Sequence, residues 1–289
     1  MPPVSEDQNA AIQTVLLACG QQARDAAEQP FEVFEKGVED YVTSVDRALD
    51  TRLAESFAKQ FPSDGIVTEE NRQSAAAFNQ SDRLWLIDPI DGTEDFINHG
   101  QHYALMVGLL AQAQPQAGWV YGPAQRRFYW GGPDWGLFQL DPAGEPQPLA
   151  PSEPSDVRGD RCPIILGGRD ENRFGEAIAA IAPQLHSYAL GSYGLKVMEV
   201  IKGQAGLYIY LNGRVKLWDT TGPLALAQAA GLVCCDLDGQ PIRFDSTGVY
   251  PESLIHRQPI VVGWPSYIER FLPLIRQAVL TVRAAELGI

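Results

Sequence analysis

Basic residues are scarce in this chain: 22 lysines and arginines stand against 36 aspartates and glutamates among 289 residues, a formal net charge of −14. A surface of that sign repels nucleic acid and anionic membrane at long range and argues against a general affinity for either. Cysteine is scarce too, with Cys19, Cys162, Cys234 and Cys235 forming no CxxC pair, which points to reduced thiols packed in a core. Long apolar runs are missing: the longest, YALMVGLLA at 103–111, is too short to span a bilayer. The opening MPPVSEDQNA is acidic and has no apolar core, so no signal peptide is expected and the location expected is cytoplasmic. Internal repeats and low-complexity segments are absent. What remains is a globular chain, 45% hydrophobic, long enough for one large domain or two intimate halves.

The most informative stretch is WLIDPIDGTEDF, residues 85–96. Trp85, Leu86 and Ile87 read as a buried strand, Pro89 discourages its continuation, and Gly92-Thr93 reads as the start of a helix. Asp88 and Asp91 are then expected to meet at one chain reversal. Small hard cations prefer carboxylate and carbonyl oxygens, and Mg²⁺ shares its shell with substrate phosphate and water. The amides of Gly92 and Thr93, at the positive end of a helix, would complement phosphate oxygens, and a side chain at Gly92 would block close approach. The plain alternative is an Asx-turn with Asp91 capping an ordinary helix.

Three further acidic segments accompany it. Glu69-Glu70 follows the strand end Ile66-Val67; alone, such a pair is a solvated loop. Asp219 ends the strand-like LYIYLNGRVKLW and opens TTGPLALAQAAG, where it could simply be an N-cap. Asp46 closes DYVTSVD, ahead of a helix with Leu49, Leu53 and Phe57 on one face, and could be an N-cap as well. His99 and His102 read as ordinary polar residues beside a strand start.

In this order and at these spacings, the four segments resemble the inositol monophosphatase superfamily of lithium-sensitive, Mg²⁺-dependent phosphomonoesterases. WLIDPIDGT is similar to that family's W-x-[IV]-D-P-[IL]-D-G-T signature, and WDTTGPLALAQAAG to its second, WD followed by a small-residue helix ending in Ala-Gly. KGVEDYVTSVD is similar to its Lys…Asp-x-Val-Thr-x-x-Asp segment, and TEEN to its Glu-Glu stretch. The resemblance implies a layered α-β-α-β-α sandwich, a homodimer, and hydrolysis of a small soluble phosphate ester without a phosphoenzyme. It implies two to three Mg²⁺ per active site: Glu69, Asp88 and the Ile90 carbonyl around one, Asp88, Asp91 and Asp219 around another. Thr93, oriented by Asp46, would position and deprotonate the attacking water, with Glu69 assisting through its metal, while Asp91, Gly92 and Thr93 meet the phosphate. Mutual repulsion would raise the proton affinity of these acids, so cation binding should release protons.

The periodicities give an α/β (α+β) layout. Ser5 and Gln8 form a capping box for a first helix with Ile12, Leu16, Cys19 and Ala23 on one face. A second helix is expected from about Arg47 to Gln60, then strands near 64–68, 83–88, 103–112, 116–121, 126–131 and 135–140 as an antiparallel meander. Residues 141–161 carry five prolines and read as an extended connector between an N-terminal half, 1–147, and a C-terminal half, 148–289. In the second half strands alternate with helices, and Asp219 is expected at the C-terminal edge of its strand.

Leaving-group contacts are expected from GSYGLKVMEV and YLNGRVK, that is from Ser192, Tyr193, Lys196 and Asn212. Asn212 stands where inositol monophosphatases carry a glutamate, and Gly206 replaces an aspartate common to the family. Lys196, five residues after Gly191, resembles the Gly-Ser-Ser-Leu-Lys pattern of the 3′(2′),5′-bisphosphate nucleotidase branch. Tyr193 could stack on a base, and Lys196, Arg214 and Lys216 could meet a second phosphate; alternatively Tyr193 is core packing and Lys196 a solvated helix residue. Adenosine 3′,5′-bisphosphate is the favoured substrate, with inositol or sugar phosphates as the alternative and a catalytically silent regulatory module as the alternative of another class.

Overall fold

A computed structural model describes residues 2–37, 40–140, 145–155 and 161–288. Helix α1 (Glu6–Ala27) starts where its sequence says it should: Ser5 Oγ accepts the Gln8 N–H at 3.2 Å and Gln8 Oε1 accepts the Ser5 N–H at 2.9 Å. Ile12, Leu16, Cys19 and Ala23 are buried along one face. A hairpin of β1 (Val33–Gly37) and β2 (Asp40–Thr43) leads into α2 (Ser44–Gln60). This helix starts earlier than Arg47 because Thr43, not Asp46, is its N-cap. Thr43 Oγ1 accepts from the Val45 and Asp46 amides at 3.1 and 3.2 Å, and Asp46 Oδ2 accepts the Thr43 N–H at 2.9 Å.

Strands β3 (Gly65–Thr68), β4 (Arg83–Asp91), β5 (Ala104–Ala111), β6 (Gln114–Gly122), β7 (Arg127–Gly132), β8 (Gly136–Leu140) and β9 (Gln147–Pro148) form a seven-stranded sheet in sequence order. The first pair is parallel and the rest are antiparallel, as a meander of short turns requires. Pro89 does not end β4, contrary to expectation. The strand runs on to Asp91, and its register against β5 slips between Asp88 and Asp91, a bulge where the missing proline N–H is not needed. Asp88 and Asp91 therefore flank an irregular strand end rather than a chain reversal. Of the proline-rich connector, 141–144 and 156–160 lie outside the described residues; between them Gln147–Pro148 pairs with β8.

Beyond it β10 (Cys162–Leu166), β11 (Leu185–Tyr188), β12 (Leu207–Tyr210), β13 (Val233–Cys235) and β14 (Ile260–Gly263) make a five-stranded mixed sheet in the order β11-β10-β12-β14-β13. The intervening helices are α3 (Thr93–Ile97) after β4, then α4 (Gly168–Ile181), α5 (Tyr193–Ile201), α6 (Leu217–Ala229) and α7 (Pro265–Leu287). LYIYLNGRVKLW is not one strand: β12 ends at Tyr210, and Asp219 lies in the first turn of α6 instead of at a strand edge.

Strand alternation sorts the core into three layers. Trp85, Ile87, Leu105, Val107 and Trp119 face α1 and α2. Leu84, Leu86, Met106 and Val120 face α5 and α6, which pack on their far side against Ile165, Tyr208 and Val262 of the second sheet. Ile164, Leu207, Ile209 and Val261, on that sheet's other face, meet α4 and α7. The result is the expected α-β-α-β-α sandwich. Glycines set its tightest spacing: a Cβ on Gly118 would lie 2.1 Å from the Gly222 carbonyl oxygen, so α6 sits directly on the sheet backbone. Gly206, where an aspartate is common in the family, would place a Cβ 2.1 Å from the Tyr267 ring. Among the described residues no disulfide joins the four cysteines, and no helix is long and apolar enough to cross a membrane.

Candidate active site

One end of β4 and the start of α6 converge on a cleft of about 750 Å³. Carboxylate oxygens of Asp88, Asp91 and Asp219 lie within 4.8 Å of one another there, the one such acidic cluster among the described residues. Neither His99 nor His102 takes part in it. Asp88 is 1% exposed, and its Oδ1 is buried with no hydrogen-bond donor. A buried carboxylate oxygen without a partner loses its hydration uncompensated, which a bound cation would repair. Asp91 and Asp219 are each held on one oxygen: Asp91 Oδ2 accepts from the Ser192 hydroxyl and, at 3.0 Å, from the Gly194 N–H, while Asp219 Oδ2 accepts the Lys216 N–H at 2.6 Å.

Like charges this close cannot all ionise in a buried site. Burial, and then the negative charges of Glu69, Asp91 and Asp219, push the Asp88 carboxyl well above the ordinary aspartate range. Burial followed by Glu69 and Asp91 raises Asp219 to about 8. Burial raises Asp91 to about 6, opposed by its bonds from Ser192 and Gly194. The cluster is therefore protonated in part unless positive charge is supplied.

Beside it the Thr93 hydroxyl lies 3.2 Å from Asp46 Oδ1 and 3.0 Å from the Ile90 carbonyl oxygen. Asp46 is 1% exposed, and burial raises its carboxyl too. Gly92, the N-cap of α3, has φ +88°, and a Cβ there would lie 3.0 Å from the His102 carbonyl and 3.1 Å from the Ser192 amide. Its glycine is thus required by its own backbone and its neighbours, whatever the cleft holds. Helix α3 is only five residues long, too short to carry much of the dipole expected at Gly92 and Thr93.

The remaining expected site residues separate. Glu69 lines the cleft, but its Oε1 takes a hydrogen bond from Lys36 Nζ at 3.0 Å, and the same ammonium binds Glu70 Oε1 at 2.8 Å. The Glu-Glu pair is therefore no solvated loop. Burial raises Glu70 to about 7, with Glu69 adding to the shift and Lys36 opposing it. Lys196 and Asn212 line the cleft; Lys196 is 8% exposed, so it is no solvated helix residue. Ser192 and Tyr193 do not reach substrate space. Ser192 is fully buried as the N-cap of α5 and supports Asp91. Tyr193 packs edge-on against Tyr208 and Tyr210 in the core, which leaves no face for a base. Missing from the expectation were Arg169 and Asn172 on the cleft wall, where Tyr210, the first residue of the expected YLNGRVK segment, also lies. The local signal for the first two was Gly167-Gly168 between a strand and a helix, the loop that opens α4 onto the cleft.

Carboxylates that need cations before they can ionise together, set where the end of β4 meets the start of α6, mark a candidate metal site in a layered α/β fold. Comparison with known proteins carries this further: a model described as "Inositol monophosphatase family" matches residues 4–280. The chain belongs to that family and is a phosphoric monoester hydrolase. It is 29% identical to the 3′-phosphoadenosine 5′-phosphate phosphatase of Mycobacterium bovis, over 82% of this chain and 83% of the relative. It is 28% identical to the 3′(2′),5′-bisphosphate nucleotidase CysQ of Salmonella typhimurium, over 75% of this chain and 84% of the relative. Among solved structures, the Thermotoga maritima IMPase matches with a TM-score of 0.76 at 21% identity, covering 96% of this chain and 99% of that one. An IMPase/NADP phosphatase complexed with NADP and Ca²⁺ matches with a TM-score of 0.75 at 20% identity, covering 95% and 97%. These structures agree with the fold.

Proposed function

We propose that the cleft hydrolyses a small phosphate monoester with Mg²⁺, and that the substrate class is a 3′(2′),5′-bisphosphate nucleotide, adenosine 3′,5′-bisphosphate giving AMP. The observation that carries the metal assignment is the triad Asp88, Asp91 and Asp219 with its orphaned Asp88 oxygen. Those three carboxylates, with Glu69 and the Ile90 carbonyl, would hold the cations. Bound divalent cations supply charge that acidifies a water and offsets the departing alkoxide. The chain does the rest. Thr93 can give its proton to Asp46 Oδ1 and, through its oxygen lone pairs, accept a hydrogen bond from a water on the cleft side. Gly194 N–H and the Ser192 hydroxyl hold Asp91 by Oδ2 and leave its other oxygen for a cation.

Three things favour the bisphosphate over inositol or sugar phosphates. Lys196 brings a buried ammonium to the cleft, suited to a second phosphate, and two relatives bear the corresponding activity in their names. Asn212 lines the same wall where a glutamate would be needed to accept bonds from polyol hydroxyls. The deciding experiment measures kcat/KM for adenosine 3′,5′-bisphosphate and inositol 1-phosphate, with Mg²⁺ present and with chelator. A clear preference for the bisphosphate is expected, lost with chelator. A preference for inositol 1-phosphate would reassign the branch, and no release from nucleotide, inositol or sugar esters would leave a silent metal-binding module.

A further inference from the structure

The first turn of α4 forms part of the cleft wall through Gly168, Arg169 and Asn172, yet Asp170 in the same turn is 1% exposed and turned inward. A carboxylate at this position ordinarily stays in water, where the helix dipole favours it at no desolvation cost. This one accepts the Leu211 N–H on Oδ2 at 2.8 Å, and the Asn212 N–H also bonds to it. The segment it holds has left the sheet: β12 ends at Tyr210, Leu211 keeps its side chain in the core, and Gly213 follows with φ +70° and open space where its Cβ would be. Asn212 lines the cleft from that segment, with its Oδ1 buried and without a donor. The remaining oxygen of Asp170, Oδ1, is buried without a donor, and Lys196, whose charge burial disfavours while Asp91 and then Asp170 favour it, makes no ion pair among the described residues.

We propose that Asp170 is a positioning residue for leaving-group recognition: its carboxylate pins the Leu211–Asn212 backbone and so sets the Asn212 side chain against the part of the ester that departs. Without the clamp, the conformational freedom of Gly213 lets Asn212 leave the wall. The inference rests on the phosphatase reading of the cleft. Asp170 touches none of the reacting groups, so its loss should appear in binding of the leaving group, not in the chemical step.

The test compares Asp170→Ala, which removes the acceptor oxygens that Asp170→Asn would in part keep, with the unaltered chain on adenosine 3′,5′-bisphosphate and on p-nitrophenyl phosphate, whose leaving group offers Asn212 nothing comparable. KM for the bisphosphate is expected to rise about tenfold or more while kcat, and both constants for p-nitrophenyl phosphate, stay within about threefold. Asn212→Ala should raise KM for the bisphosphate by a similar factor, and the double variant should add nothing further. Equal losses on both esters, additive effects, or unchanged discrimination would overturn the proposal. If Asp170→Ala does not fold, Asn212→Ala with unaltered KM for the bisphosphate, or rapid exchange of the Leu211 amide in the native chain, would overturn it as well. Failure of the phosphatase reading looks different: the unaltered chain would release phosphate from neither ester, and this inference would fall with it.

Discussion

Thr93 and Asp46, 47 residues apart, meet with the hydroxyl oxygen 3.2 Å from a carboxylate oxygen. The threonine has one proton and two acceptors in reach, Asp46 Oδ1 and the Ile90 carbonyl. If the carbonyl is occupied by a cation, Asp46 alone takes that proton. Thr93→Val removes the hydroxyl and little else, because the triad does not depend on it. Turnover is expected to fall by roughly 10²–10⁴-fold with Mg²⁺ binding preserved, as read by steady-state kinetics alongside calorimetric titration of Mg²⁺. An equal loss of metal binding would make Thr93 a structural residue.

Asp91→Asn tests the cation site without breaking the fold. The amide oxygen can still accept from Ser192 and Gly194, while a charge that repels Asp88 and Asp219 disappears. In chelator the thermal midpoint should stay level or rise. The Mg²⁺ needed for half-maximal rate should rise by at least the roughly 10–100-fold seen when outer partners of metal sites are lost, with turnover reduced by orders of magnitude. A near-normal rate would sink the shared-metal assignment.

What could be read from the sequence was local. The capping box at Ser5 and Gln8, the buried stripe of α1 and the buried strand at Trp85–Ile87 each depend on neighbours in the chain, and the acids of the triad sit in contiguous motifs. What could not be read depends on partners far away. Ser192 looked like a substrate contact because nothing local says that its hydroxyl reaches Asp91, 101 residues earlier. Tyr193 looked available until Tyr208 and Tyr210 closed over it. Lys36 binds Glu69 and Glu70 across more than thirty residues, so the pair resembled a solvated loop. Pro89 stayed in its strand because a bulge removed the need for its N–H, and bulges depend on the neighbouring strand.

Gly118 connects packing to the site. Its Cα faces the Gly222 backbone so closely that an added methyl would sit 2.1 Å from the carbonyl oxygen, and Gly222 lies one turn beyond Asp219. Gly118→Ala must push α6 off the sheet and carry Asp219 away from Asp88 and Asp91. Destabilisation of about 1–3 kcal/mol or more is expected from chemical denaturation, typical of overpacking. A weaker Mg²⁺ response should accompany it. Normal stability with normal Mg²⁺ dependence would mean that the helix accommodates the methyl without moving the acid.

The metal-free protein should lose stability as pH rises from about 6.5 to about 8. A carboxyl raised in the folded state binds its proton more tightly there than in the unfolded chain, so folding takes up protons between the two pKa values and stability falls with pH across that window. Burial and the charges of Glu69 and Asp91 raise Asp219 to about 8, and burial and Glu69 raise Glu70 to about 7. His256 acts in the opposite sense: burial lowers it to about 4, so its contribution rises with pH only up to the ordinary histidine value of about 6.5. Above that point the acids act without that opposition. Mg²⁺ competes with the same protons, so the stabilisation it confers should grow over this window. Thermal midpoints in chelator and in saturating Mg²⁺, taken across it, should diverge steadily, and Asp219→Asn should flatten the chelator curve. A chelator midpoint that holds or climbs through the window would show that Asp219 is already ionised without the cation, and that the triad does not need one.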